Sequence, residues 1–322
     1  MSFRVFTTLL LACCGMFADA SAPLRNHSPF AQFVGLPGLA DPQKLAAGDN
    51  RLALVTTLSN QFVLRAKQPD PLLIDVESYI SELYWRHGFA GWELEVAVPL
   101  ISYRRGFMDD LVENFHDLFG MPNANRDKRP RDQLRIDYQG QDNVLLEQPV
   151  SGLGDVRLAA GWQLADSWRH RQSLQLMVKL PSGNSERLLG SGSLDVALYS
   201  SHRWHPGSWQ FDLQYGLLWM QTPDVLANQR RDWAGFGGMA IARPFYWPGW
   251  QVMLQLDLHT ALYRASNKEP LNEAVMLSGG LRYRTSDWQL QLVLLEDLKV
   301  YSAPDVGFML AMEWFRPFAA PR

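Results

Sequence analysis

The sequence predicts an all-β fold: a transmembrane antiparallel up-and-down β-barrel of about fourteen strands, with twelve as the alternative count. Three observations point there. The first is alternation. In segments 92–100, 209–219, 250–262, 288–294 and 308–314, every second residue from the first gives 26 positions, all apolar except Thr260. The intervening positions carry Glu93, Glu95, Gln210, Asp212, Gln214, Gln251, Gln255, Asp257, His259, Gln289, Gln291 and Glu313. Successive strand side chains point to opposite faces, so each strand has one greasy and one polar side. The second is tryptophan. The chain has 12, and all five segments begin or end in one, as aromatic girdles at the edges of a hydrocarbon band require. The third is an export leader. Alternation alone would also suit a soluble, periplasmic β-sandwich; the girdles, the length of the longer segments and the leader favour lipid.

The leader comes first in the chain. Arg4 supplies a positive start, residues 5–17 are almost wholly apolar, and Ala18-Asp19-Ala20 offers a small-residue cleavage site, so residues 1–20 read as a cleaved signal peptide. A lipoprotein-type site at Leu10-Leu11-Ala12-Cys13 is the lesser route and would leave Cys13 lipidated. Cys13 and Cys14 are the only cysteines, so the mature chain has no disulfide framework and no thiolate metal site. No stretch after residue 20 holds ~18 consecutive apolar residues, so no helix is expected to span. A formal charge of -3 gives no basic excess for nucleic acid.

Residues 21–50 are rich in Pro and Gly and show little alternation; they read as a periplasmic tail or an inward-folded plug. The barrel is expected over 51–318. Strands are expected near 51–66, 71–87, 91–104, 131–139, 143–150, 153–165, 171–180, 192–203, 208–220, 232–243, 249–263, 273–285, 287–298 and 305–316. The connections sort by parity. One set is mostly tight, at 87–91, 140–142, 203–207, 244–248 and 286; the other holds the long ones, at 106–130, 181–191, 221–231 and 264–272. Short periplasmic turns and long external loops are the habit of outer-membrane barrels. The sorting needs 134–150 divided into two strands; undivided, the count falls to twelve.

One stretch changes period. Met108, Leu111, Val112, Phe115, Leu118 and Phe119 recur at spacings of three and four, with Asp109, Asp110, Glu113, His116 and Asp117 between, which predicts an amphipathic helix. It lies in the longest external loop and is expected to narrow the pore or cap its mouth, with Asp109, Glu113 and His116 as its polar face. Along the wall, Glu93, Glu95, Asp212, Gln214, Gln255, Asp257, His259 and Glu313 are expected to line the lumen. Their carboxylates favour cations unless arginines such as Arg157 and Arg282 neutralise them.

Several strings resemble those of a proteobacterial family catalogued as domain of unknown function 3187. They are Arg25-Asn26 with Pro29-Phe30; Gly106-Phe107, His116, Phe119-Gly120 and Pro122; Gly152-Leu153-Gly154-Asp155; Lys179-Leu180-Pro181-Ser182-Gly183; Gly190-Ser191-Gly192-Ser193 with Asp195; and Glu296-Asp297 before Ala303-Pro304-Asp305. The resemblance runs from about 24 to 318 and implies an outer-membrane barrel without importing a reaction. The Gly-Asp and Lys-Leu-Pro strings are also similar to barrels for uptake of aromatic compounds. Unlike barrels that end on an aromatic residue read by the insertion machinery, this chain continues past Phe318 with Ala319-Ala320-Pro321-Arg322.

For chemistry, Gly-x-Ser-x-Gly is absent, and Ser191 and Ser193 fit a loop entering a strand. Glu113 with His116, or Asp257 with His259, could place a carboxylate beside an imidazole; a solvated helix face and a wet lumen wall are the plainer explanations. Glu296-Asp297 marks an acidic strand end. No cofactor is implied. The expected partners are outer-membrane lipid, the barrel-insertion machinery and an unidentified small solute. The function expected is a channel or facilitator in the cell outer membrane; a hydrophobic solute is what the aromatic-uptake similarity implies. A lipid-modifying enzyme and an adhesive barrel are the alternatives.

Overall fold

A computed structural model describes residues 21–65, 71–120, 126, 129–264, 268–299 and 301–315. The expected leader and the end of the barrel range, 316–318, lie outside the described residues. Fifteen strands follow: β1 (Asn50–Arg65), β2 (Leu72–Gly88), β3 (Trp92–Arg104), β4 (Arg135–Tyr138), β5 (Val144–Leu146), β6 (Val150–Leu153), β7 (Arg157–Asp166), β8 (His170–Lys179), β9 (Asp195–Trp204), β10 (Gln210–Met220), β11 (Trp233–Pro244), β12 (Trp250–His259), β13 (Ala274–Arg284), β14 (Trp288–Asp297) and β15 (Val306–Phe315). Among the described residues one α-helix, α1 (Asp109–Phe119), interrupts them. No helix among the described residues is long and apolar enough to cross a membrane.

Twelve of the strands close into a ring, each antiparallel to the next: β1, β2, β3, then β7 to β15, and β15 back onto β1, with Arg51 opposite Phe315 and Asn60 opposite Val306. Closure pairs every backbone edge, which is what lipid demands of a sheet. Of the two counts legible in the sequence, the structure has twelve staves. The stretch 131–150 forms only β4 and β5, of 4 and 3 residues, whereas a tilted crossing takes about 9–11. These two make a small hairpin on the loop end of β2, where Ile136 meets Ile74 and Tyr138 meets Leu72. The remaining extra strand, β6, pairs with the upper part of β3 while β7 pairs with the lower part. The register slips by one residue between them. That bulge falls at Gly154-Asp155 and re-aims the Asp155 side chain, as bulges do.

The side chains sort as the alternation requires. Leu54, Leu83, Leu198, Leu217, Leu292 and Leu310 are exposed on the outer wall, while Glu93, Asp212, Gln214, Gln255 and Gln291 are buried inside it. A soluble sheet would have these two sets reversed. At the tight-turn end the outer wall carries a row of rings, with Trp288 opposite Trp314, Leu52 opposite Trp85 and Trp92 opposite Trp162. Tyrosine and tryptophan favour such boundaries because one end of the ring is apolar and the other can hydrogen-bond.

The interior is filled. Residues 21–45 are mostly buried and none is exposed, and their hydrogen bonds reach β2, β3, β7, β9, β10 and β12 around the ring. The segment climbs from Ser21 to a tight turn at 28–34, then descends to meet Gly88 at the turn end, where Gly48 N–H donates to the Gly88 carbonyl (2.9 Å). At the loop end the core is apolar: Phe30, Phe33 and Val34 pack against Ile74, Ile101, Tyr103 and Phe236.

Helix α1 corrects an expectation. It neither narrows the lumen nor caps the mouth; it lies on the outer wall. Met108 and Val112 pack on Leu58 and Val306, which share a strand face with exposed Leu54, Phe308 and Leu310. The outward carboxylate of Glu77 accepts the backbone N–H groups of Phe107 (2.7 Å) and Met108 (2.6 Å). A helix start needs such acceptors, and here the outer side of β2 supplies one.

Candidate functional site

The lumen is the site, and the wall residues grip the threaded segment at three levels. Near the turn end, Asp41 accepts from Arg203 Nη1 (3.0 Å), with Arg51 and Arg86 at 3.9 and 4.0 Å. One turn further, Lys44 Nζ pairs with Glu93 Oε1 (3.0 Å), and Leu45 N–H donates to Glu93 Oε2 (3.1 Å). The wall partners are themselves paired: Arg203 makes a bidentate contact with Asp212 (2.8 Å twice), and Arg86 reaches Glu93 (2.9 Å).

Halfway up, the Glu82 carboxylate accepts from Arg25 Nη2 and from Arg157 Nη2, both at 2.7 Å, and from the Tyr84 hydroxyl (2.8 Å). Two buried guanidiniums thus share one carboxylate. His27 lies beside them, buried, and neither of its ring nitrogens has a hydrogen-bond partner. Burial, and next the positive field of Arg25, pushes its imidazole down from 6.5 to about 3. It is therefore neutral at any ordinary pH.

Near the loop end, Lys179 Nζ donates to the Phe33 carbonyl (3.1 Å), to Asp155 Oδ2 (3.0 Å) and to Ser191 Oγ, with Asp195 Oδ2 at 3.3 Å. Asp195 also accepts the Gly35 N–H (2.8 Å). A Cβ on Gly35 would stand 2.8 Å from the Asp195 Cβ, so only glycine allows this approach. The Gly-Leu-Gly-Asp, Lys-Leu-Pro-Ser-Gly and Gly-Ser-Gly-Ser strings meet here: Asp155 accepts the N–H groups of Gly183 and Ser191, each at 2.9 Å.

Amide side chains stand in for a partner strand. Gln255 accepts the Ala22 N–H (2.8 Å) and donates to the Ala22 carbonyl (3.0 Å); Gln214 does the same for Ala40 N–H (2.9 Å) and the Gly38 carbonyl (3.0 Å). Buried backbone groups need partners, and a chain without a ladder finds them on these glutamines.

Glu93, Glu95, Asp212, Gln214, Gln255, Asp257, His259 and Glu313 all sit on inward strand positions. Glu95 lies 3.9 Å from Arg86, Glu313 lies 3.4 Å from Arg51, Asp257 accepts from Gln255 (2.8 Å), and His259 meets Asn26 (3.0 Å). Neutralisation comes from Arg86, Arg203, Arg51 and Lys44. Of the two arginines named from sequence, Arg157 serves Glu82, while Arg282 bonds Gln251 (3.2 Å) and the Ser21 carbonyl (3.2 Å). Asp109 and Glu113 are on the outer wall, bonded to Arg126 and Arg131; the His116 side chain lies outside the described residues. Glu82, Arg86 and Lys179 were missed from sequence. The inward parity of β2 and β8 was the signal that could have found them.

Between the segment and the wall a cavity of about 130 Å³ remains in the turn-end half, edged by Tyr84, Glu95, Met177 and Tyr199 opposite Pro23 and Leu39. It has room for several waters. Toward the loop end the lumen is filled by packed side chains. Phe30 sits edge-on to Tyr138 (6.4 Å), and Tyr263 donates to the Phe30 carbonyl (2.7 Å). Ser191 beside Lys179 has the composition of a nucleophile and base, yet both are fully buried and the ammonium is shared among several acceptors. No group of three or more metal-binding side chains occurs among the described residues.

A model of the family described as "Protein of unknown function (DUF3187)" matches residues 5–315. No curated protein matches the chain. Among solved structures, the COG4313 outer membrane channel from Pseudomonas putida F1 is similar at a TM-score of 0.58 and 18% identity, over 86% of this chain and 98% of that one. The Ralstonia pickettii toluene transporter TbuX aligns at a TM-score of 0.41 and 8% identity, over 85% and 90%. The shared architecture with the first is the fold of an outer-membrane channel.

Proposed function

We propose that this chain, which belongs to the DUF3187 family, is an outer-membrane channel for a small solute, held closed by its own residues 21–47. The observation that carries the reading is how that segment is held. It is bound to the wall by side chains alone, through Asp41, Lys44, Arg25 and the Lys179–Asp195 contacts, with no β-ladder to break. The wall ions keep partners of their own, so a closed ring remains if the segment leaves. The emptied lumen would have an apolar chamber at the loop end, lined by Ile74, Ile101, Tyr103 and Phe236, and a polar one at the turn end. An apolar inlet followed by a hydrated exit suits a small hydrophobic or amphiphilic solute. Entry into the outer membrane follows export through the leader and insertion by the barrel machinery, with long loops outside and tight turns in the periplasm.

Planar-bilayer recording tests this. The full chain should give rare or small openings, and a variant lacking residues 21–47 should conduct steadily. Refolded barrels of both kinds that stay silent and solute-tight would overturn the reading.

A further inference from the structure

Helix α1 presents an apolar edge that the barrel does not use. Leu111 and Leu118, seven residues apart and so on one side, are 51% and 78% exposed, and Phe107 just before the helix is 64% exposed. Its orientation follows from its contacts. Asp109 bonds to Asn60 and Arg126 on the side toward the loops, and Arg126 stacks over Phe62 (5.2 Å). Met108 and Val112 face the wall lower down, at Leu58 and Val306. Leu111 is three residues from Met108, so the exposed leucines continue around the helix on the side toward the lipid belt. Asp110 and Asp117, likewise seven residues apart, are exposed on the other edge, and Asn114 lies between them and the leucines.

The height fits as well. From Leu52, level with the tryptophan row, to Asn60 the tilted strand rises about 20 Å, close to the ~25 Å of an apolar band. The helix therefore lies along the outer rim of the belt, above exposed Leu54, Phe308 and Leu310 of the same outer face. At the same level the outward, exposed Arg104 stands opposite Glu77, next to exposed Arg105. No carboxylate partner of either arginine is found among the described residues, although Arg104 donates to the Ser102 hydroxyl (3.0 Å).

Resting on the outer-membrane reading above, we propose that α1 with Arg104 and Arg105 is a docking surface for a phosphorylated glycolipid of the outer leaflet. The acyl chains lie against Leu111 and Leu118, and a phosphate meets the two guanidiniums, a pairing arginine forms well.

The chain has no cysteine after Cys14, so one spin label can be placed cleanly. A label at Leu118→Cys, in vesicles containing diphosphoryl lipid A, should collide more with oxygen than with a water-soluble nickel chelate; at Asp117→Cys the order should reverse. Native mass spectrometry of purified protein should retain diphosphoryl lipid A, at least tenfold less in R104E/R105E, and phosphate-free lipid A should bind as weakly to the native chain. A wet label at 118 would overturn the inference. So would equal lipid retention by the variant, or a dry label broadened by a second copy without lipid A. Heat-modifiable migration of the same samples reports insertion separately. Barrels that insert but give these negative results sink only this surface, whereas barrels that never insert sink the channel reading.

Discussion

Asp41 is the sharpest place to perturb the threaded segment, because the wall does not depend on it. Replacing it with alanine removes a carboxylate 3.0 Å from Arg203 and about 4 Å from Arg51 and Arg86. Arg203 keeps Asp212, Arg51 keeps Glu313, and Arg86 keeps Glu93. At an effective dielectric of ~20 a unit pair 3 Å apart attracts by about 5 kcal/mol before desolvation. Since the guanidiniums retain other partners, the net loss is nearer ~2–3 kcal/mol, as for a hydrogen bond to a charged group. At ~1.4 kcal/mol per decade, the undocked fraction should rise roughly thirty- to hundredfold. A Ser28→Cys reporter reads this directly, because Ser28 is fully buried at the far end of the segment. Its reaction with a water-soluble maleimide should accelerate by that factor in Asp41→Ala, while heat-modifiable migration of the barrel stays unchanged. An unaltered rate would refute the idea that the segment is released as one unit.

The same reporter serves three further tests. Gly35→Val forces a side chain into the Asp195 Cβ and should raise labelling at least tenfold; no effect would mean the apex is looser than drawn. Gln255→Leu leaves the Ala22 N–H without its acceptor, while the Ala22 carbonyl keeps the Leu24 N–H; that is a loss of about 1–3 kcal/mol, and labelling at Ser28→Cys should rise accordingly. Acid should also undock the segment. The docked His27 stays neutral down to about pH 3 and the free imidazole takes its proton near 6.5, so the imidazole does not oppose docking above 6.5 and weakens it as pH falls from there toward 3. The slope is at most about 1.4 kcal/mol per pH unit. Arg25, Arg157 and Glu82 set the local field, and the difference between native and His27→Leu profiles isolates the imidazole; superimposed profiles would end the argument.

The strands were legible because the wall has two solvents, lipid outside and a polar lumen inside, and alternation records them at β3, β10, β12, β14 and β15. Where the outer face carries polar groups the record blurs. On β9, Ser200 and His202 face outward, the latter stacked on Trp204 and bonded to Ser200 (3.1 Å), and the inward Arg203 went unnoticed. The stretch 131–150 alternates too, but alternation does not measure whether a strand is long enough to cross. Amphipathicity fixed that α1 has two sides without saying which surface would meet the greasy one; Leu58 and Val306 on the outer wall did. Residues 21–50 carry no period because their backbone is satisfied by glutamine and glutamate side chains. Pairs such as Arg25 with Glu82, or Asp41 with Arg203, are separated by spacings no local pattern reveals.

The seam between the first and last staves has a consequence for assembly. Ala22 finds its partner 233 positions downstream, while Arg25 finds Glu82 on β2 and Gly35 finds Asp195 on β9. No half-built sheet offers all of these together. The interior thread can seat fully only once the circle is complete, so it acts as a proofreader of closure. Contacts this distant along the chain are slow to form, which places the seating of the thread among the last events of biogenesis, after the circumference has been sealed.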